Sequence, residues 1–374
     1  MAKTILFTGG GSAGHVTPNL ALIERLRKEG YTIHYMGSQD GIERDLIEDL
    51  RIPYHAIPCG KLRRYFSWKN FTDPFRVIAG VFAAHHIICQ IKPDAIFSKG
   101  GFVSVPVVIG ARGHVPIVTH ESDYSPGLAN RIAGHFADTV CVTFEDTLSA
   151  VGKKGVFTGT PIRTALYSGE AQKGLNLASF SGEKPVLLIM GGSLGARAVN
   201  ETVREALPRL LRSFDVIHLC GRGKVNDAAA CPGYRQYEYV NKELPDLLAC
   251  ADIVLSRAGA NAIFELLALC KPALLIPLPR TASRGDQILN AGYFARKGYA
   301  MVLEQEQLTP DTLVDALGDL YHRRLSFIST MSREEKADGT DEVLAVIRKA
   351  AEEDDCAHGS RHARTKAKRD KDAE

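Results

Sequence analysis

The chain contains one short pattern twice, an apolar strand that runs into a glycine-rich turn and then into a helix. The first copy reads FTGGGSAGH from Phe7, and the second reads IMGGSLGA from Ile189. Such a turn lets backbone N–H groups approach an anion, and the start of the following helix adds a partial positive charge. Two copies favour two doubly wound sheets whose ligands bind at the carboxyl ends of the strands. The alternative for either turn is that its glycines only permit a tight connection.

The domain boundaries follow from where the alternation of strands and helices stops and restarts. Short β-branched runs alternate with helical stretches in both halves, which is typical of parallel sheets covered by helices. The fold class that we predict is α/β, with two Rossmann-like, doubly wound parallel-sheet domains that face an interdomain cleft. The predicted divisions are a first domain over residues 1–166, a polar linker over 167–184, a second domain over 185–350 and a disordered, charged tail over 351–374.

Composition excludes several classes of protein. The 46 basic and 43 acidic residues leave a formal charge of +3, which argues against a dedicated nucleic-acid binder. The eight cysteines form no Cys-x-x-Cys pair and are typical of reduced thiols in a cytosolic protein, not of disulfides or a zinc site. The first apolar run is too short for a secretory signal, and no run approaches the roughly 18 to 20 apolar residues of a membrane span. We therefore expect contact with a membrane only from its surface.

Polar groups follow several predicted strands of the first half. His15 ends the first glycine turn and could accept a proton from a bound hydroxyl, although a packing or capping role is the alternative. His120 and Glu121 close an apolar strand, where either site chemistry or loop solvation would place them. Arg163 comes just after the last strand of this half, and its fork geometry suits either a diphosphate or a salt bridge.

The second half offers two further groups of this kind. Glu265 lies about one turn into an apolar helix, where a carboxylate needs hydrogen bonds that ribose hydroxyls would supply. Asp286 and Gln287 follow another strand and its proline-rich loop, so their side chains are able to bond sugar hydroxyls.

A basic and aromatic segment over residues 61–76 differs in character from the rest of the chain. It continues into the apolar run that ends at Phe82. Basic residues attract anionic head groups and aromatic rings lie at the water–lipid boundary, so the segment is predicted to contact a membrane surface. A partly buried surface helix is the alternative. The side chains predicted to face the membrane are Arg63, Arg64, Phe66, Trp68, Phe71 and Phe75.

The motifs form a recognisable set when they are taken in chain order. They are residues 10–15 (GGSAGH), 120–121 (HE), 126–130 (PGLAN), 159–163 (GTPIR), 191–196 (GGSLGA), 256–259 (SRAG) with Glu265, and 286–287 (DQ) with Asn290. Over about residues 3–350 the chain resembles the MurG family, the UDP-N-acetylglucosamine:lipid I N-acetylglucosaminyltransferases of bacterial peptidoglycan synthesis. The resemblance implies a GT-B fold and an inverting transfer of N-acetylglucosamine (GlcNAc) to the C4 hydroxyl of N-acetylmuramic acid (MurNAc) in undecaprenyl-diphosphate-MurNAc-pentapeptide.

The resemblance also implies roles for individual residues. His15 is the leading candidate for the general base, with His120 and Glu121 as the other two. The acceptor diphosphate would lie against Gly10 and Gly14. Within the donor site, Ser193 and Arg163 would hold the diphosphate, Glu265 the ribose, Asp286 and Gln287 the GlcNAc hydroxyls, and the backbone near Val240 part of the uracil. The donor would also contact the first turn at Gly11, Ser12 and Ala13.

No metal or other cofactor is implied. The sole Asp-x-Asp motif, residues 370–372, lies in the tail, so helix dipoles, Ser193 and Arg163 are expected to stabilise the departing diphosphate. The implied partners are UDP-GlcNAc, lipid I and the anionic inner leaflet, without nucleic acid. The implied location is peripheral, on the cytoplasmic face of the cell membrane.

This chain departs from the family pattern at two places. Ser12 and Ala13 stand in the first turn, where the family commonly has Gly-Gly-Thr-Gly-Gly-His. Ser122 and Asp123 stand where the family often has Gln-Asn. Asp123 remains a candidate sugar contact, although an ionised carboxylate cannot donate a hydrogen bond as an amide does.

Three other functions remain open from the sequence. A UDP-GlcNAc 2-epimerase would use the same scaffold but would leave the segment over residues 61–82 without a purpose. A nicotinamide-dependent dehydrogenase would use Gly9-x-Gly11-x-x-Gly14 with Asp40, but it would not explain the second glycine turn. A non-catalytic nucleotide-sugar-binding protein would need neither His15 nor Glu121.

Overall fold

The computed structural model describes residues 2–60, 69–192 and 195–352. The chain divides into two compact units. The first unit contains the chain up to Ser122, Pro126–Pro161 and the chain from Gly339 onward. The second unit contains Asp123–Ser125 and Ile162–Asp338. Each unit is built on one parallel sheet, which confirms the predicted fold class.

The first sheet has seven strands in the order β3-β2-β1-β4-β5-β6-β7. Its strands are β1 (Thr4–Thr8), β2 (Thr32–Ser38), β3 (Tyr54–Ile57), β4 (Ala95–Ser98), β5 (Ile117–Glu121), β6 (Thr139–Val142) and β7 (Gly155–Phe157). Its helices are α1 (Thr17–Lys28), α2 (Ile42–Glu48), α3 (Lys69–Ile91), α4 (Ser104–Ala111), α5 (Leu128–Phe136) and α6 (Leu148–Val151). The strand order reverses between β1 and β4, and the carboxyl ends of two such strands open a crevice that suits a ligand.

The second sheet has six strands in the order β10-β9-β8-β11-β12-β13. Its strands are β8 (Val186–Met190), β9 (Asp215–Leu219), β10 (Tyr234–Tyr237), β11 (Ile253–Ser256), β12 (Ala273–Leu275) and β13 (Ala300–Val302). The helices of this unit are α7 (Ala171–Ala178), α8 (Arg197–Leu210), α9 (Leu244–Cys250), α10 (Ala260–Ala268), α11 (Asp286–Lys297) and α12 (Pro310–Met331). Here the order reverses between β8 and β11, so each glycine turn follows a strand at a reversal point.

The central strands explain why the sequence forms these sheets. In β1, Ile5, Leu6 and Phe7 are all fully buried, because helices cover both faces of a parallel sheet. Ile5 and Phe7 belong to one core cluster, and Leu6 belongs to the other. The continuous apolar runs of the sequence therefore correspond to strands that are buried on both faces.

The end of the described chain returns to the first unit. Residues 340–352 are helical, and Val343, Leu344 and Ile347 are fully buried in the core cluster that contains Ile5. Arg348 donates two hydrogen bonds to the Glu29 carboxylate, at 3.0 and 2.7 Å. The predicted end of the second domain at residue 350 therefore differs from the end of the second compact unit, at Asp338. The sequence did not predict this, because an apolar helical face does not reveal which sheet it will cover.

The segment that was predicted as a polar linker also differs from the prediction, because it contains a packed helix. Residues 167–184 contain α7, which packs against α9. A Cβ atom at Gly174 would lie 2.2 Å from the Asp246 carbonyl oxygen, so the glycine permits close helix packing. Gly174 therefore contributes to helix packing in a segment that was predicted as a polar linker. The predicted tail from 353 onward lies outside the described residues.

Helix α3 carries the described part of the basic and aromatic segment. Its Asp73–Ile91 portion has the length and mean hydropathy, 1.3, of a membrane-spanning helix, so by this measure the expectation of no such run does not hold. Of the residues predicted to face a membrane, Arg63, Arg64, Phe66 and Trp68 lie outside the described residues, and so does the side chain of Phe71. Phe75 is described, and 74% of it is exposed.

Candidate active site

The first glycine turn is packed closely against neighbouring segments. Gly11 has a φ of +83°, in the left-handed region that favours glycine. A Cβ atom at Gly11 would lie 2.3 Å from the Phe102 ring, and one at Gly10 would lie 2.4 Å from the Glu43 carboxyl carbon. The Gly10 N–H donates to the Gly100 carbonyl at 3.3 Å. Both glycines are therefore required by packing within the protein.

Glu43, at the start of α2, is a site residue that the sequence analysis missed. Its side chain is fully buried. Its carboxylate accepts hydrogen bonds from the Gly11 N–H at 3.1 Å and from the Ser38 N–H at 3.1 Å. Buried carboxylates are stable only with such partners. The Gly11 amide is consequently bonded to the protein, where the resemblance had implied a donor contact.

His15 lies at the reversal point of the first sheet. It closes a short 3-10 turn, Ala13–His15, in which its N–H donates to the Ser12 carbonyl at 3.1 Å. The imidazole is partly buried. Its Cδ2 atom lies 3.2 Å from the position that a Cβ on Gly101 would occupy. Because Gly101, which follows β4, has no side chain, it leaves space for the His15 imidazole. Gly14 and Ser12 precede His15 in the same turn.

His120, at the end of β5, has both ring nitrogens hydrogen-bonded within the protein. Its Nε2–H donates to the Gly159 carbonyl at 2.9 Å, and its Nδ1 accepts from the Lys99 ammonium at 2.7 Å. Burial lowers the pKa of His120 well below its usual value, and the positive charge of Lys99 lowers it further. A neutral imidazole with both nitrogens bonded in this way has neither nitrogen directed at a substrate.

Lys99 is the second residue that the sequence analysis missed. It follows β4 and is fully buried. Besides His120, its ammonium donates to the Ser122 hydroxyl at 2.6 Å. The Lys99 Cβ lies 3.2 Å from where a Cβ on Gly9 would be, so the base of this side chain packs against the first glycine turn, and its ammonium is held by His120 and Ser122. A lysine between an apolar strand and a Gly-Gly pair was the signal that could have identified it.

Glu121 joins the end of β5 to the start of α5. It is 3% exposed. Its Oε2 accepts from the Gly127 N–H at 3.1 Å and from the Asn130 side-chain amide at 2.9 Å. A carboxylate at a helix N-terminus satisfies N–H groups that the helix cannot. The geometry therefore gives Glu121 a positioning role in the loop.

The second glycine turn is less crowded at Gly192 than the first turn is at Gly11. Gly192 has a φ of +81°, and among the described residues no atom lies within 4 Å of a Cβ built there. Gly195 lies at the base of the turn, where a Cβ would lie 2.0 Å from the Cys220 carbonyl oxygen. Ser193 lies outside the described residues. The 14-residue helix α8 begins immediately after the turn, so its N-terminal N–H groups are available for an anion.

Arg163 and Glu265 meet in the second unit. The Arg163 Nε and one terminal nitrogen donate to the two Glu265 carboxylate oxygens, at 2.9 and 3.2 Å. The side chains are only 22% and 14% exposed. Glu265 thus receives from an arginine the hydrogen bonds that the sequence analysis assigned to ribose. The pair is separated by 102 residues, and no local pattern could have joined them.

Three more residues that were predicted as donor contacts, Asp286, Gln287 and Asp123, lie at or near the start of α11. The Gln287 side-chain oxygen accepts from the Leu278 N–H at 3.0 Å, which leaves its amide N–H₂ as the donating end. The Asp286 carboxylate lies 3.8 Å from Arg284 Nε. Asp123 belongs to the same unit, and its carboxylate accepts from Arg284 at 3.2 Å. Val240 is buried in the loop after β10.

A metal ion is held by several side chains that ligate it together. Within the described residues, no group of three or more His, Cys, Asp or Glu side chains could hold an ion. Residues 370–372, the Asp-x-Asp motif, lie outside them.

Comparisons with known proteins give the family. The glycosyltransferase family 28 N-terminal domain matches residues 5–142, and the family 28 C-terminal domain matches residues 186–344. A relative in Clostridium perfringens is 51% identical over 350 residues, which cover 93% of this chain and 98% of the relative. That protein is named UDP-N-acetylglucosamine--N-acetylmuramyl-(pentapeptide) pyrophosphoryl-undecaprenol N-acetylglucosamine transferase.

Solved structures agree with the two-sheet architecture. The crystal structure of Acinetobacter baumannii MurG matches with a TM-score of 0.74 and 26% identity, covering 93% of this chain and 99% of that one. A Listeria monocytogenes protein described as a UDP-N-acetylglucosamine 2-epimerase matches with a TM-score of 0.68, over 94% of this chain and 98% of that one. Its 13% identity shows a shared fold alone. With both domains matched in order along the chain, this protein belongs to glycosyltransferase family 28.

Proposed function

We propose that this protein transfers GlcNAc from UDP-GlcNAc to the C4 hydroxyl of MurNAc in undecaprenyl-diphosphate-MurNAc-pentapeptide, which converts lipid I into lipid II. The observation that carries the proposal is 51% identity over nearly the whole chain to a transferase whose name specifies this donor and this acceptor. The first unit takes the lipid-linked acceptor, and the second unit takes the nucleotide sugar. The epimerase alternative has only a shared fold in its favour.

His15 is the general base of this proposal. Of the three candidates, His120 has both nitrogens bonded to the protein, and Glu121 is bonded to the start of α5. His15 is partly exposed at the reversal point of the first sheet. It takes the proton of the C4 hydroxyl while that oxygen attacks C1 of GlcNAc from the face opposite the leaving group. The bond from C1 to the diphosphate breaks, and UDP leaves with the bonding electron pair.

The departing diphosphate is stabilised by the second unit. The turn at Gly192 and the N-terminus of α8 supply N–H groups, and Ser193 adds a hydroxyl. Arg163 has five N–H donors, of which Glu265 receives two, so the guanidinium can also reach a phosphate. A carboxylate held by arginine keeps lone pairs for ribose hydroxyls. The pair would thus join recognition of the ribose to recognition of the diphosphate.

The acceptor diphosphate is drawn to the first unit by the turn at Gly10 and Gly14. Lys99 is fully buried and its side chain packs against Gly9 through the Cβ, so its charge acts through a medium from which water is excluded. Lys99 therefore contributes positive potential without touching the substrate.

Helix α3 brings the protein to the anionic cytoplasmic leaflet as a peripheral protein. Phe75, Ile78 and Phe82 are 74%, 54% and 72% exposed, at positions that share one face of the helix. On the opposite face, Ala84 and Ile88 are part of the core of the first unit. Because removing those side chains from the core would destabilise the domain, α3 lies on the membrane and does not cross it.

The test is UDP release from UDP-GlcNAc with and without a lipid I analogue, in the presence of EDTA. We expect release that requires the acceptor and survives chelation, with a β-linked disaccharide as product. Sugar isomerisation without acceptor would support the epimerase, and absence of release in both conditions would contradict the transferase.

A further inference from the structure

Arg284, at the centre of a charged cluster near the start of α11, has no role among those assigned so far. The Arg284 guanidinium donates to Asp123 Oδ2 at 3.2 Å, and its Nε lies 3.8 Å from the Asp286 carboxylate. The three side chains are 20% to 28% exposed. They are held by the fold but still reach solvent, so a ligand can contact them.

Asp123 is fixed by a buried amide. Asn290 is fully buried, and its Nδ2 donates both to Asp123 Oδ1 and to the Ala258 carbonyl, each at 3.1 Å. Its oxygen accepts from the Tyr124 N–H at 2.9 Å. The segment Asp123–Ser125 is thereby attached to α11 within the second unit. Asp123 therefore offers Arg284 a fixed anchor.

The charge of the cluster selects the chemistry of its ligand. One guanidinium between two carboxylates gives the cluster a net charge of −1. Such a cluster repels a diphosphate but suits a neutral polyol, because the guanidinium donates hydrogen bonds and the carboxylates accept them. Asp286, a member of the cluster, and Gln287, which follows it in the chain, are the residues assigned to sugar hydroxyls.

We propose that Arg284 donates a hydrogen bond to an oxygen of the donor's GlcNAc ring, and that Asp123 is the positioning residue that holds it there. The inference rests on the proposed function and deepens it, since it names the group that reads the sugar apart from the nucleotide. A carboxylate at position 123 cannot donate to a sugar, but the guanidinium that it holds can.

The test compares binding of UDP-GlcNAc with binding of UDP, measured by calorimetry on the full chain without acceptor. Arg284→Ala should weaken UDP-GlcNAc about tenfold and leave UDP within about twofold, since only the sugar loses a charged donor. Asp123→Asn should weaken UDP-GlcNAc by a smaller factor, about threefold, because Asp286 still attracts the guanidinium. Arg280→Ala, at an exposed arginine of the same loop, is the matched control and should change neither affinity.

Two outcomes overturn this inference alone. They are an Arg284→Ala variant that leaves the UDP-GlcNAc affinity unchanged, and one that weakens UDP and UDP-GlcNAc equally. If that variant does not fold, Arg284→Lys takes its place, because lysine keeps the charge but loses the planar fork of N–H donors. The ratio of the UDP-GlcNAc affinity to the UDP affinity is then compared with the ratio in the wild type. A wild-type protein that binds UDP but not UDP-GlcNAc would overturn the proposed function as well. Wild-type binding of UDP-GlcNAc without transfer to lipid I would overturn the proposed function and leave this inference standing.

Discussion

The two glycine turns have similar sequences but opposite surroundings. In the first, the Gly11 amide is bonded to Glu43, and a Cβ at Gly10 or Gly11 would collide with the Glu43 or Phe102 side chain. In the second, a Cβ at Gly192 would meet none of the described residues within 4 Å. A glycine pattern therefore specifies a backbone path, while its surroundings decide whether the amides bond to the protein or remain for a ligand. Under the proposed function, the first turn supports the base and faces the acceptor diphosphate, and the second turn holds the donor diphosphate.

Replacing His15 with Ala should have the largest effect. Loss of a general base lowers turnover about 10²–10⁴-fold. Affinity for UDP-GlcNAc should stay within about twofold, because the donor is assigned to the second unit. Steady-state kinetics and calorimetry check the two quantities, and the exposed His135→Ala is the control. An equal loss of donor affinity would make His15 a structural residue.

The comparison between the turns is tested most directly by placing alanine in each. Both Gly11 and Gly192 have φ near +80°, so both variants carry the same backbone strain, about 1–2 kcal/mol. Gly11→Ala should cost roughly 1–3 kcal/mol more, because its Cβ collides with Phe102. Urea unfolding measures the difference. Equal free energies of unfolding for the two variants would show that the first turn can relax, and would remove the contrast.

Glu265→Gln tests the proposed donor site in the second unit, which is the side of the comparison that contains the second glycine turn. The variant keeps the shape but loses the ion pair with Arg163, so the KM for UDP-GlcNAc should rise about tenfold with kcat little changed. The matched control is Asp319→Asn, whose exposed ion pair with Arg323 lies on α12 of the same unit. A fall in kcat with unchanged KM would move Glu265 from donor binding to the chemical step.

The smallest effect is expected from the exposed apolar side chains. Phe82→Ser should reduce sedimentation with anionic vesicles several-fold and leave the free energy of unfolding within about 0.5 kcal/mol, since the ring is 72% exposed. Leu325→Ser, at a side chain 69% exposed on α12 of the second unit, should leave vesicle binding unchanged. Equal losses for both variants would mean that the two units do not differ in their membrane contact.

Local patterns predicted the architecture well. The apolar runs over β1 and β8, each followed by glycines, marked the two sheets and the turns that end their central strands. Those features depend on neighbours within about ten residues, so they can be read in order along the chain. Local patterns also selected His15, at the end of a glycine turn, and Glu265, in the first part of an apolar helix, and the roles given to these residues remain predictions.

Partners far apart in sequence were not predictable in the same way. Glu43 bonds Gly11 across 32 residues, and Arg163 bonds Glu265 across 102. The final helix over residues 340–352 covers the first sheet although it follows the second. Each of these pairings is one of many that an amphipathic helix or a charged side chain can make, and packing selects among them.

The sequence by itself determined that this protein has two parallel sheets, each with a glycine turn after its first strand, because strand burial and backbone conformation are local properties. Only the tertiary structure decided that both turns lie where the strand order reverses, and that Glu43 and Phe102 crowd the first turn while no described residue crowds Gly192. It alone decided that His120 is neutral and bonded on both nitrogens. The physical reason is that hydrogen bonds and desolvation depend on which distant groups the fold brings within about 3 Å.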